Sequence, residues 1–246
     1  MRILSLVGLL LFSANAFGQS FDFLPAPVAG HQVIAYPQFT LSYNETHEQA
    51  DWVAYMLTKQ EALIEDTFSA DFSEDDSVTT GSAQEDDYRS TGFDKGHLSP
   101  AADNKASEAT YRQSYLMSNM SPQLPSFNQG IWKRLEAWVR DNAIAYDTVY
   151  VVAGPVFTHS LGNIGANGVT IPGYYYKGLL RFEEDGTPRL LGFLLPQVGA
   201  VGRIDEYVVP INTIETLTGL DLFPALPDRR ENYLESQRPI SKWVDF

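Results

Sequence analysis

The stretch that most restricts the fold lies at 173–197. Two apolar runs, GYYYKGLLRF and RLLGFLLPQ, flank the turn EEDGTP. That pattern predicts a β-hairpin and therefore antiparallel pairing. Just upstream, the β-branched run DTVYVVAGPVF predicts a further strand, stopped at Gly154-Pro155. Nearer the N-terminus, YPQFTLSYNETHEQADWVAYMLT alternates apolar and polar residues and predicts two strands joined by a turn near Asn44. The period changes in SFNQGIWKRLEAWVRDNA, where Ile131, Leu135, Trp138 and Val139 share one helical face and Asn128 stands as a natural N-cap. PINTIETLTGL predicts a last helix, with a proline-punctuated tail behind it. No internal repeat or low-complexity linker interrupts this mixture, so the expectation is one α+β domain over residues 19–246.

Residues 1–18 are set apart. Arg2, the apolar run from Ile3 to Phe12 and the small residues Ser13-Ala14-Asn15-Ala16 read as a secretory signal cleaved after Ala16 or Gly18, too short to span a bilayer. The expectation is a secreted or periplasmic protein with no membrane span. The chain has no cysteine, which excludes a disulfide framework, thiolate metal sites and a cysteine nucleophile. Burial of its hydrophobic 44% must hold the fold.

A net charge of −14 argues at first against a polyanionic partner. The distribution weakens that argument. Positions 60–88 hold ten acids and no Lys or Arg, whereas positions 89–140 hold seven bases against four acids. The acidic stretch reads as a solvated loop. The basic one surrounds TGFDKGHLSPAAD (91–103), which sets His97 among Asp94, Lys95, Gly96, Ser99 and Pro100. Those neighbours lack the apolar periodicity of a core position, so the stretch reads as a site.

His97, Asn119, Asn128 and Glu136 together have a chemical logic. Asn128 and Glu136 are eight residues apart, about 80° around a helix, so both can face one cleft. A neutral amide oxygen and several waters suit Mg²⁺, which dehydrates reluctantly and takes few protein ligands. A histidine with a pKa near 6.5 can take a proton from water. Beside a phosphodiester, those parts make a metal-assisted hydrolase. Each part alone also has a simpler role: a cap for Asn128, a solvated ion pair with Lys133 or Arg140 for Glu136, a turn for Asn119.

DYRSTGFDKGHLSPAAD resembles the signature of the DNA/RNA non-specific endonucleases, the ββα-metal nucleases that include the Serratia-type secreted nuclease and mitochondrial endonuclease G, whose usual core is Asp-Arg-Gly-His. MSNMSPQLPSFNQGIWKRLE is similar to the same family's Asn-x-x-Pro-Gln, Phe-Asn-x-x-x-Trp and Leu-Glu elements, in order and spacing. Later segments, including VYVVAGPVF and GFLLPQ, extend the resemblance over most of the chain. It implies a ββα-metal nuclease fold, with a central antiparallel sheet flanked by helices and loops. It implies an endonuclease that hydrolyses DNA and RNA without sequence specificity. His97 would be the general base, and Asn128 the one direct protein ligand of a divalent metal, normally Mg²⁺, with Mn²⁺ or Ca²⁺ as alternatives. Glu136 would orient the metal's water, and Asn119 would position His97 or the phosphate. Lys95 would sit near the scissile phosphate, with Arg112 and Lys133 as further substrate contacts.

Two departures stand out. Lys95 replaces the usual arginine, keeping the charge and losing the bidentate fork. The family's further upstream arginine has no counterpart in positions 60–88, so either another base such as Arg89 or Arg112 replaces it or activity is reduced. Two other readings compete: a non-catalytic nucleic-acid-binding relative of the fold, and a metal phosphoesterase for small substrates.

Overall fold

The computed structural model describes residues 23–246. The expected signal, 1–18, lies outside them. The strands in chain order are β1 Gln32–Ala35, β2 Thr40–Asn44, β3 Gln49–Thr58, β4 Asp94–His97, β5 Met120–Gln123, β6 Thr148–Ile164, β7 Val169–Phe182, β8 Pro188–Pro196 and β9 Val208–Val209. The helices are α1 Lys59–Ala62, α2 Glu85–Tyr88, α3 Glu108–Gln113, α4 Lys133–Tyr146, α5 Ile211–Thr218 and α6 Asp228–Glu235. Seven strands form one sheet in the order β1-β2-β3-β6-β7-β8-β9. Every neighbouring pair in it is antiparallel. The remaining pair, β4 and β5, makes a separate antiparallel ribbon. The fold is α+β, as expected.

The hairpin of β7 and β8 is in register from Phe182↔Pro188 to Tyr174↔Pro196. Gly186 at φ 78° makes its turn, a left-handed conformation that glycine adopts without a β-carbon clash. The predicted stop at Gly154-Pro155 is not one, because β6 runs on to Ile164. The missing N–H of Pro155 costs no ladder bond on the β3 side, where pairing ends at Val53↔Ala153. Gly154 is required there, since a β-carbon would lie 2.3 Å from the Asp51 carbonyl oxygen.

Both faces of the sheet are covered. Val53, Tyr55, Val151 and Ala153 pack with Ile131, Leu135, Trp138 and Val139 on one face, and Trp52, Ala54 and Val152 pack with Ile211 and Ile214 of α5 on the other. All four residues of the predicted face around α4 are buried, each worth about 1.5–3 kcal/mol. α5 forms where expected and ends at Gly219, φ 73°. The tail contains a helix that the sequence reading omitted, α6.

Two loop expectations need correction. The acidic stretch is not simply solvated, because Asp75 and Asp87 are buried as hydrogen-bond hubs. Asp75 accepts from the hydroxyls of Tyr36 and Ser118, and Asp87 from the backbone and side chain of Asn167. Nor does Asn119 belong to an isolated turn, the simpler role open to it: the segment Ser118–Pro122 is part of a continuous element. It passes from a short helical turn, Met117–Asn119, into β5, the partner of the strand that carries His97.

Candidate active site

His97 ends β4, opposite Met120 of β5, and so lies on a strand rather than in a turn. Gly96 lets the ribbon close: a β-carbon there would lie 2.3 Å from the side chain of Gln123, which is fully buried. The chain leaving His97 is held by Asn119, whose carbonyl accepts from Leu98 N–H and whose Oδ1 accepts from Ser99 N–H at 2.9 Å. Asn119 Nδ2 donates to the carbonyls of Ser99 and Ser114. Asn119 is completely buried, so it acts on the site through the backbone around His97. Trp132 Nε1 donates to the His97 carbonyl, and Tyr175 on β7 donates from its hydroxyl to the Pro122 carbonyl, tying the ribbon to the large sheet.

The His97 ring packs edge-on against Tyr115, at 4.9 Å between centroids, and beside Phe72 at 6.0 Å. Its Nε2 is buried with no hydrogen-bond partner. Burial pushes its pKa down to about 4, so the ring is neutral at neutral pH. A neutral imidazole is the state a general base needs before it can take a proton.

A π-type turn over Phe127–Trp132 leads directly into α4 and carries Asn128. Asn128 does not cap this helix. It follows Ser126 and Phe127, and its Nδ2 donates to Asp94 Oδ2 at 2.9 Å; Gln129 Nε2 donates to the same oxygen at 2.9 Å. An ionised carboxylate can only accept, so the Asn128 amide must turn its nitrogen to Asp94 and its Oδ1 the other way. That tether presents a carbonyl oxygen from a residue lining the cleft, and it suits a hard divalent cation. Among the described residues, no group of three or more His, Cys, Asp or Glu could hold a metal. An ion here would rest on few protein oxygens and keep most of its waters, which fits Mg²⁺.

Lys95, His97 and Asn128 line one cleft of about 560 Å³, together with Asp94, Arg89 and Tyr115. A larger cleft of about 660 Å³ lies by Tyr146 and Arg189 and holds none of the site residues. Lys95 Nζ lies 2.9 Å from Glu85 Oε1 and 4.4 Å from the centre of the Phe72 ring. Arg89 pairs with Asp86. Both acids belong to α2, so the acidic segment reaches the cleft and occupies its two cations. Arg112 is exposed and paired with Glu108; neither it nor Lys133 lines the cleft.

Glu136 does not line the cleft either. It belongs to a charge cluster beneath α4, with Asp103, Arg140 and the buried Lys177, whose Nζ lies 4.6 Å from the Trp132 ring. Burial raises the Glu136 pKa and lowers that of Lys177. The structure thus brings together Lys95, His97 and Asn128, places Asn119 behind them, and leaves Glu136, Arg112 and Lys133 off the cleft wall. Asp94 and Arg89 are cleft residues to which the sequence assigned no role or only an alternative one. Asp94 was readable in principle as the only acid inside the DKGH stretch.

The DNA/RNA non-specific endonuclease family matches residues 24–229. The chain belongs to that family. Its members are nucleases, enzymes that hydrolyse phosphodiester bonds. This chain is 34% identical over 201 residues to mitochondrial endonuclease G of Bos taurus, covering 76% of this chain and 67% of the relative. It is 32% identical over 216 residues to mitochondrial nuclease EXOG of Danio rerio, covering 81% of this chain and 63% of the relative. A crystal structure of EndoG in complex with EndoGI superposes with a TM-score of 0.76 at 27% identity, covering 80% of this chain and 88% of that one. The family's fold is therefore present here too. The relatives overturn one expectation: both proteins named above are mitochondrial nucleases, and a signal peptide in 1–18 has no support among the described residues, so the assignment to a secreted or periplasmic protein is withdrawn. No helix among the described residues is long and apolar enough to cross a membrane.

Proposed function

We propose that this chain is a divalent-metal-dependent endonuclease that hydrolyses DNA and RNA without sequence specificity, with residues 19–246 acting as one domain. The observation that carries the reading is the single cleft in which a neutral His97, the tethered Asn128 amide and Lys95 converge. Asn128 Oδ1 would hold the metal, with Mg²⁺ the best fit and Mn²⁺ or Ca²⁺ as alternatives. Such an ion supplies charge neutralisation at the phosphate and at the leaving oxygen. Nε2 of His97 is enclosed, so Nδ1 is the nitrogen offered to the cleft, where it takes the proton of the attacking water. Lys95 holds the scissile phosphate after leaving Glu85, and Arg89 supplies the second cation that the acidic segment lacks. Asn119 fixes the backbone that carries His97. Glu136, Arg112 and Lys133 contribute from outside the cleft wall, Glu136 through the field of its cluster.

Plasmid nicking with Mg²⁺ and with EDTA tests the reading. Nicking that requires the metal supports it. A non-catalytic binding relative would retard plasmid without nicking it, and a phosphoesterase for small substrates would cleave a chromogenic diester and leave the plasmid intact.

A further inference from the structure

Four aromatic rings make a continuous row that ends on His97. Phe68 and Phe72 come from the acidic segment, and Tyr111 and Tyr115 from α3 and the turn behind it. The centroid distances are 5.7 Å from Phe68 to Tyr111, 5.3 Å from Tyr111 to Tyr115 and 5.1 Å from Tyr115 to Phe72. Tyr115 and Phe72 then both meet the imidazole. Backbone bonds lock the two segments together: Ser73 N–H to the Tyr115 carbonyl at 3.3 Å, and Met117 N–H to the Ser73 carbonyl at 2.8 Å. The hydroxyls of Tyr111 and Tyr115 lie 3.0 Å apart.

Phe127 and Trp132, by comparison, are closed off in the core. All four rings of the row are instead partly exposed. The cleft also has a shortage that the row can offset. Its two cations are each paired with an acid of α2, and the chain carries a net −14, so phosphate contacts give substrate little hold. Stacking of a base on an aromatic face needs no net charge and tolerates any sequence. Only an unpaired base offers such a face, because duplex bases are stacked on one another.

We propose that Phe68, Tyr111, Tyr115 and Phe72 form a stacking subsite for unpaired nucleobases leading to His97. The substrate class this cleft takes best is then single-stranded nucleic acid. This inference rests on the nuclease reading above and adds its preferred form of substrate.

The test compares the parent chain with Tyr111→Leu, Phe68→Leu/Tyr111→Leu and Tyr111→Phe, each checked for a cooperative thermal transition. Leucine keeps apolar bulk and removes the ring; should the double variant fail to fold, Tyr111→Leu alone decides. KM and kcat are measured with Mg²⁺ on one mixed-sequence oligonucleotide, single-stranded and as a duplex. The double variant is expected to raise the single-strand KM by roughly tenfold or more with little change in kcat, and the duplex KM far less. Tyr111→Phe should recover most of the affinity that Tyr111→Leu loses. In EDTA, where nothing is cleaved, the parent should quench a 2-aminopurine oligonucleotide and the double variant should not. Single-strand and duplex KM moving together, or no change in either KM or quenching, overturns the subsite. A parent that cleaves neither substrate overturns the nuclease reading instead, and the quenching still reports on the row.

Discussion

At the scale of single residues, the proposed site rests on two neutral side chains, His97 and Asn128, each held by its neighbours. His97 has its pKa pushed down to about 4 by burial, so the folded chain resists a proton that the unfolded chain takes near 6.5. Its share of stability is complete above 6.5 and is lost as pH falls from 6.5 through about 4. The neutral imidazole therefore persists far into acid, and with His97 as the proposed base the acidic limb of kcat/KM should fall near pH 4; a limb near 6.5 would contradict His97 as the titrating base. His97→Ala should cost roughly 10²–10⁴ in turnover at neutral pH. The Asn128 amide is held by Asp94. In Asp94→Ala the amide is free to rotate, and the Mg²⁺ concentration for half-maximal activity should rise roughly 10–100-fold while turnover at saturating Mg²⁺ changes little. An unchanged Mg²⁺ requirement would mean that the tether does not set the metal site.

Among elements, the ribbon of β4 and β5 decides whether the site exists, and it was the element least visible in the sequence. Each strand has only four residues, DKGH and MSPQ, and neither alternates. Their pairing rests on bonds the sequence does not signal: Tyr175 to Pro122, Trp132 to His97, Asn119 to Ser99. By contrast, the hairpin of β7 and β8 was legible from a long apolar run on each side of a glycine turn, and α4 from four residues at helical spacing. Lys95, His97 and Asn128 could be named because their motifs matched a known pattern. That Asn128 is tethered rather than capping, and that Glu136 faces a buried cluster, depends on contacts between segments far apart in the chain. Gly96→Ala probes the ribbon directly. The new methyl meets buried Gln123 at 2.3 Å, and overpacking of this kind costs about 1–3 kcal/mol. The thermal midpoint should drop by about 2–4 °C per kcal/mol. Activity should fall with it, and Gln123→Ala in the same chain should restore both. A single variant that melts and cleaves like the parent would show that Gly96 is not needed for the close approach.

For the whole molecule, the acidic balance becomes a statement about substrate affinity through α2. A nuclease with net charge −14 repels its substrate at long range, and the repulsion weakens as salt rises. In the proposed role the two cleft cations do not reverse it, because each phosphate they would grip must displace a carboxylate, Glu85 from Lys95 and Asp86 from Arg89. The displaced acid regains a counterion as the phosphate loses one, so the net release per contact is small. On duplex DNA each neutralised phosphate contributes roughly −0.9 to the slope of log K against log salt, and the slope here should therefore be shallow, about −1 or less in magnitude. Glu85→Gln keeps the shape of the side chain and removes the competing charge. It should tighten binding at low salt and steepen the slope by roughly one phosphate's worth, leaving the metal requirement unchanged. Lys95→Ala should flatten the slope and weaken binding, and Lys95→Arg should keep both by restoring a planar fork to the phosphate. Fluorescence anisotropy of a labelled duplex in EDTA, from 20 to 300 mM salt (roughly the range over which such slopes are read), measures all three variants without cleavage. If Glu85→Gln binds no better than the parent at low salt, then α2 does not compete with phosphate for Lys95, and the charge of the acidic segment acts only at a distance.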